Sequence, residues 1–180
     1  MKILIFGVGG VGGFLGSRLE SSDLDISYVA RGKRYVFLKN NGLMIKSDLG
    51  NRHIKRIKVF QNIPEKQKFD IIISTVKLYD FDNFILELKK KKIDGSIILP
   101  FQNGIYSEQK IIEEFGEINS YGAVAQISAY VDEKQFIIHK GKLATFFVGQ
   151  IKNINNQKIK SFSEICKDIG LDLFFKKNIK

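Results

Sequence analysis

A doubly wound α/β fold on a mostly parallel sheet, with a strand-rich C-terminal extension, is predicted by three observations in this 180-residue chain. Short apolar runs, KILIF (2–6), DISYVA (25–30), FDIIISTV (69–76) and SIILPF (96–101), alternate with amphipathic stretches of helical length. The first run ends on a glycine-rich turn, GVGGVGG, where a buried strand hands over to a helix. From Ile118 the texture changes to successive strands: INSYGAVAQIS, KQFIIHKG and KLATFFVG.

The elements between these runs follow in order. Gly10 to Leu19 reads as a helix with Phe14, Leu15 and Leu19 on one side. Lys33 to Asn40 forms a second, closed by Asn40, Asn41 and Gly42, which suit a left-handed cap. GLMIKS (42–47) and HIKRIKVF (53–60) alternate in strand fashion and are expected to pair across the turn at Asp48, Leu49 and Gly50. Phe81 to Lys91 and Ile105 to Phe115 are helices, Asn156 to Ile169 is another, and LDLFF (171–175) is a last strand. There is no internal repeat and no low-complexity linker.

With 44% hydrophobic residues the chain has material for one full core. The formal charge of +10 favours a polyanionic partner or, equally simply, lysines scattered over solvated faces. Only Lys89 to Lys92 are dense, at the end of an expected helix where they meet the negative end of its dipole. No aromatic-interleaved basic patch points to nucleic acid. The lone Cys166 excludes an intramolecular disulfide and lies in an amphipathic stretch, as a buried core residue does. His53 and His139 lack ligand spacing, so no metal site is read. No apolar run reaches membrane-spanning length, and MKILIFG lacks secretory features, so a cytoplasmic location is expected.

Gly7, Val8, Gly9, Gly10, Val11 and Gly12 spell G-x-G-x-x-G between an expected strand and an expected helix, the dinucleotide-binding arrangement of a Rossmann-type fold. Gly7 permits the tight turn, Gly9 lets backbone approach a pyrophosphate, and Gly12 lets the helix pack close to the sheet. The helix start supplies free N–H groups and a positive dipole end. After the second strand, where an acidic residue would grip ribose hydroxyls, stand Ala30 and Arg31, with Lys33 and Arg34 close behind. A guanidinium there binds a 2′-phosphate, so the expected cofactor is NADP (NADPH) rather than NAD. The alternative is that Arg31 is only a surface loop residue.

Two further residues, like Arg31, follow expected strand ends, the edge where ligands bind in this architecture. Lys77 in STVK is a cation aimed at the crevice, or a snorkelling surface lysine. Asn103 in FQNG offers donor and acceptor together, or is a plain turn residue. With VARGKR, NNGLMIKS, GNRHIKRIKVF, DIIISTVKLYD, ILPFQNGI and HKGKLATFFVGQ, these residues make the chain resemble 2-dehydropantoate 2-reductase (ketopantoate reductase) over nearly its whole length.

The resemblance implies NADPH-dependent reduction of 2-dehydropantoate to pantoate in pantothenate and coenzyme A synthesis. It places Lys77 and Asn103 at the nicotinamide and substrate end of the cleft. Ser128 matches a cofactor contact by position, although AQISAYVD departs from the family's run. It also implies a division into a cofactor-binding domain (1–170) and a lead-in (171–180) to a C-terminal helical domain. The family's catalytic lysine would lie beyond Lys180, after a lead-in that Asn178, Ile179 and Lys180 match. No catalytic residue is therefore assigned here, and a chain of this extent is expected to bind cofactor with little or no turnover. Self-association through Phe174 and Phe175, left exposed, is expected as well. Reduction of another 2-keto acid and a non-catalytic NADP-sensing module are the rival readings.

Overall fold

Ile3, Leu4, Ile5 and Phe6 are all buried, and they face two different cores. Ile3 and Ile5 join one apolar cluster, Leu4 and Phe6 the other, as the two-residue period of a doubly covered strand requires. This is β1 (Lys2–Phe6) of a computed structural model that describes residues 1–93, 95–151 and 156–179. Its neighbours repeat the pattern. In β6 (Ile71–Ser74), Ile71 and Ile73 face one core and Ile72 the other. In β7 (Ile97–Pro100), Ile97 and Leu99 face one and Ile98 the other.

The first sheet has the order β5-β2-β1-β6-β7, and every pairing in it is parallel. Here β2 is Asp25–Val29 and β5 is Lys58–Phe60. Helices α3 (Phe81–Lys90) and α4 (Tyr106–Phe115) cover one face through Phe81, Phe84, Ile85, Leu88 and Ile111. Helix α2 (Gly32–Asn41) follows β2, and its Leu38 is buried. Helix α1 (Gly10–Leu19) covers the other face with Phe14, Leu15 and Leu19.

A second, mixed sheet lies beyond α1 in the order β10-β9-β3-β4, with β8 antiparallel to β9. It comprises β3 (Leu43–Ser47), β4 (Arg52–Ile54), β8 (Tyr121–Val131), β9 (Ile137–Gln150) and β10 (Leu173–Lys176). Helix α5 (Gln157–Asp168) packs Ile159, Phe162 and Cys166 into the core that α1 shares with both sheets. Its start is capped by the Asn156 side chain, which accepts from the Lys158 N–H at 2.9 Å. Among the described residues no helix is long and apolar enough to cross a membrane.

Two expectations need correction. HIKRIKVF is not one strand: Arg52–Ile54 pairs with β3 across the turn, whereas Lys58–Phe60 crosses to the first sheet beside β2. Alternation marks each piece as strand but does not name the sheet it joins. Conversely, KQFIIHKG and KLATFFVG belong to the single long β9. The apparent break is a bulge: Ile127 pairs with Ala144 and Ala129 with His139, so residues 140–143 bow out opposite Ser128. The His139 ring, 3.1 Å from the Leu143 carbonyl, closes the loop, and the Gly141 N–H donates to Asp48 at 2.7 Å. Of the two terminal phenylalanines, Phe174 is 48% exposed beside Phe147, while Phe175 packs partly against the core. Lys180 lies outside the described residues.

Burial pushes the Cys166 thiol up to about 12, so its reactive thiolate is scarce at ordinary pH. A disulfide reagent at mildly alkaline pH should leave the native thiol unmodified and titrate it promptly in denaturant. Prompt reaction of the native protein would place Cys166 outside the core.

Candidate cofactor-binding site

The loop that leaves β1 is shaped by what lies behind it. Gly7 has φ +99°, a left-handed conformation, and a Cβ there would come within 2.9 Å of the Val76 backbone nitrogen. A Cβ on Gly12 would overlap the Gly7 carbonyl and the Thr75 hydroxyl, and the Thr75 hydroxyl donates to that same carbonyl. A Cβ on Gly10 would overlap the Ala129 carbonyl of β8. Gly9 differs: nothing stands within 4 Å of the place its Cβ would occupy. The space beyond Gly9 belongs to an open cleft of about 480 Å³, lined by Gly7, Val8 and Gly9. Gly9 also caps α1, with no side chain bonded to the helix start and no acidic residue in the first turn. Free N–H groups and the positive dipole end are therefore available to an anion.

Cations line the same cleft. Arg34 is held by its Nε–H donating to the Val8 carbonyl at 2.7 Å and by Nη1 donating to the Gln135 carbonyl. Its Nη2 is buried and has no partner among the described residues. Burial lowers its pKa to about 10, opposed by Asp132, so it stays charged near neutrality. An orphaned, charged donor beside a helix start and a glycine loop fits a phosphate oxygen. Arg31 forms the outer wall, with its guanidinium 5.5 Å from the Phe6 ring centroid and paired to Glu87 of α3. Lys77 lies on the opposite lip, where it precedes a single 3₁₀ turn (Leu78–Asp80) after β6.

A second cavity of about 560 Å³ opens at the end of β7, lined by Gln102, Asn103 and Glu108 with apolar walls from Ile112, Val124 and Ile179. Gln102 joins the two cavities. Its Nε2 donates to the Ser74 carbonyl at 3.2 Å and to the Val76 carbonyl at 2.9 Å, bracing the turn that carries Lys77. Its Oε1 is buried and has no partner among the described residues, and the same holds for one carboxyl oxygen of Glu108.

The structure thus brings Gly7, Val8, Gly9, Arg31 and Lys77 to one cleft. Gly10, Val11 and Gly12 lie in the first turns of α1 beside it. Asn103 is in the neighbouring cavity, exposed at the end of β7. Ser128 is exposed at the β8 bulge, next to the Ala129 carbonyl that crowds Gly10, and it lines neither cavity. Lys33 is exposed and lines no part of the cleft. Three participants carry no motif that would have marked them. Arg34 was visible only as extra charge, Gln135 contributes a backbone carbonyl, and Glu87 arrives from a helix far along the chain.

Residues 3–153 match the family model described as ketopantoate reductase PanE/ApbA. The chain belongs to that family. It is 28% identical, over its full length, to an uncharacterized oxidoreductase, YkpB, of Bacillus subtilis, and spans 59% of that protein. It is 26% identical to 2-dehydropantoate 2-reductase of Archaeoglobus fulgidus over 94% of the chain and 54% of the relative. The 2-dehydropantoate 2-reductase structure from Porphyromonas gingivalis superposes with a TM-score of 0.88 at 22% identity, over 99% of this chain and 65% of that one. That from Geobacter metallireducens gives 0.87 at 22% identity, over 98% and 58%. The ketopantoate reductase fold thus extends over 98–99% of the chain, and the chain spans little more than half of the curated relatives it matches.

Two experiments probe this geometry. Gly10→Ala should destabilise the protein by about 1–3 kcal/mol through overpacking against Ala129, while Gly9→Ala leaves stability nearly unchanged. Denaturant unfolding of both variants checks the contrast. Burial raises the Glu108 carboxyl above its ordinary value of 4.5, opposed by backbone hydrogen bonds from Glu108 and Ala123. The folded state then holds the proton more tightly than the unfolded state, so stability falls as pH rises from about 4.5 through the raised value. Glu108→Gln should therefore stabilise the protein at neutral pH and lose that advantage in acid.

Proposed function

We propose that this chain holds NADPH as the cofactor-binding part of an enzyme that reduces 2-dehydropantoate to pantoate. The observation that carries the reading is the single cleft that joins the glycine loop, the uncapped start of α1, and the cations Arg31, Arg34 and Lys77. A diphosphate fits against the amides of Gly9 and Gly10, with the orphaned Nη2 of Arg34 as a further donor. Arg31, at the β2 end of the sheet edge, takes the 2′-phosphate of the adenosine ribose.

Lys77 and Asn103, further along the same edge at the ends of β6 and β7, would hold the nicotinamide half. The reduced nicotinamide supplies a hydride to the keto carbon. Lys77 contributes positive charge near the developing alkoxide, and Asn103 offers a donor and an acceptor to orient a hydroxyl or carbonyl. The amide of Gln102 keeps both neighbouring strand ends in register by its bonds to Ser74 and Val76. The activity of the longer enzyme is inferred from membership of the ketopantoate reductase family and from the reductases that this chain resembles.

Fluorescence titration with NADPH tests the binding half directly. Gly9→Ala should abolish most binding by placing a methyl group where the diphosphate would lie. Arg31→Ala should weaken NADPH by about tenfold or more, equivalent to about 1.4 kcal/mol, and change NADH far less. If Arg31→Ala leaves NADPH affinity intact, the 2′-phosphate is held elsewhere and the assignment fails.

A further inference from the structure

Glu87 brings a carboxylate to the place where the local sequence offers only cations. It lies on α3, its side chain is only 10% exposed, and both oxygens are engaged. One pairs with Nη2 of Arg31; the other accepts the Ile63 N–H at 2.6 Å. Arg31 itself remains 53% exposed and is stacked near Phe6. It forms the wall between the glycine-loop cleft and a second hollow of about 400 Å³, which Asn62, Asn83, Leu86 and Glu87 also line.

We propose that Glu87 is a specificity-determining residue that keeps the adenosine end of the site open to NADH as well as NADPH. The inference rests on the reading that the adenosine ribose lies at Arg31. A 2′-phosphate bound there would share its guanidinium with a nearly buried negative charge, and like charges at such range disfavour each other. A ribose bearing two free hydroxyls meets the opposite situation. A carboxylate oxygen keeps lone pairs beyond the bond it already accepts, so it can take a hydroxyl proton. The acidic residue absent after β2 is in this way replaced in space by one from α3, and the pair offers a group for each cofactor. Fixing Glu87 through Ile63 also fixes the guanidinium, so neither group has to be ordered when the cofactor arrives.

Titrations of the 180-residue chain with NADPH and with NADH decide the matter. The wild type should bind the two within about tenfold of each other. Glu87→Gln, which keeps the shape and an acceptor for Ile63, should raise the NADPH-over-NADH ratio by about three- to tenfold. In the Arg31→Ala background, where the carboxylate faces the phosphate without its cation, adding Glu87→Gln should recover part of the lost NADPH affinity. A ratio unchanged within about twofold in Glu87→Gln, or equal weakening of both cofactors, would mark Glu87 as purely structural and overturn the inference. Should that variant fail to fold, the wild-type ratio alone suffices: discrimination beyond about tenfold rejects the proposal. The two readings fail differently. If the wild type binds neither cofactor, or Arg31→Ala leaves NADPH untouched, the placement of the adenosine end is wrong and this inference goes with it. If that placement holds and the Glu87→Gln ratio is flat, only the role of Glu87 is lost.

Discussion

Helix α1 is squeezed between two sheets, and the rest of the molecule is arranged around that fit. On one side Gly12 and Gly16 admit the end of β1, Thr75 and the Tyr28 ring. On the other, Gly10 and Gly13 admit the Ala129 backbone and the Ile137 side chain. A glycine-rich helix is intrinsically poor, so its stability comes from being enclosed rather than from its own propensity. The consequence for chemistry is direct. Glycines that let two sheets close on one helix also leave its start without side chains, and its N-cap Gly9 lines the cleft. Close packing and a helix start free of side chains are two results of the same missing Cβ atoms.

The fold was largely legible because its strands are buried on both faces and interrupted by helices of clear period. KILIF, DISYVA, FDIIISTV and SIILPF appear as four neighbouring strands of one parallel sheet. What the sequence did not carry is assignment between sheets. Lys58–Phe60 and Arg52–Ile54 look alike as alternating segments, yet the first extends the parallel sheet and the second closes a hairpin with β3. A bulge likewise imitates a turn: HKGKL contains glycine and charge, but β9 resumes on the same partner after bowing out. Local composition reports that a segment is extended; only tertiary packing settles its partner.

The site divides in the same way. Arg31, Lys77 and Asn103, expected at strand ends, do stand at the sheet edge, the first two in one cleft and Asn103 in the neighbouring cavity. Their partners come from elsewhere. Glu87, Gln135 and Asp132 belong to a helix and a hairpin whose approach no spacing rule foretells. Arg34 illustrates the difference between charge and role. In sequence it is one of several cations, but in space its guanidinium ties the glycine loop to the β8–β9 turn and keeps one donor in reserve.

The pairing of β3 with β9 bears on how the chain comes to be assembled. Ile45 is registered against Ile137 and Ser47 against His139, so an early strand pairs with one far later in the chain. In the fold β8 and β9, with β3, cover the flank of α1 that the first parallel sheet leaves open, over Phe14, Leu43 and Ile45. The cleft beside the glycine loop is thus completed only by Val131 and Gln135, which a hairpin far along the chain brings to Gly7, Val8 and Gly9.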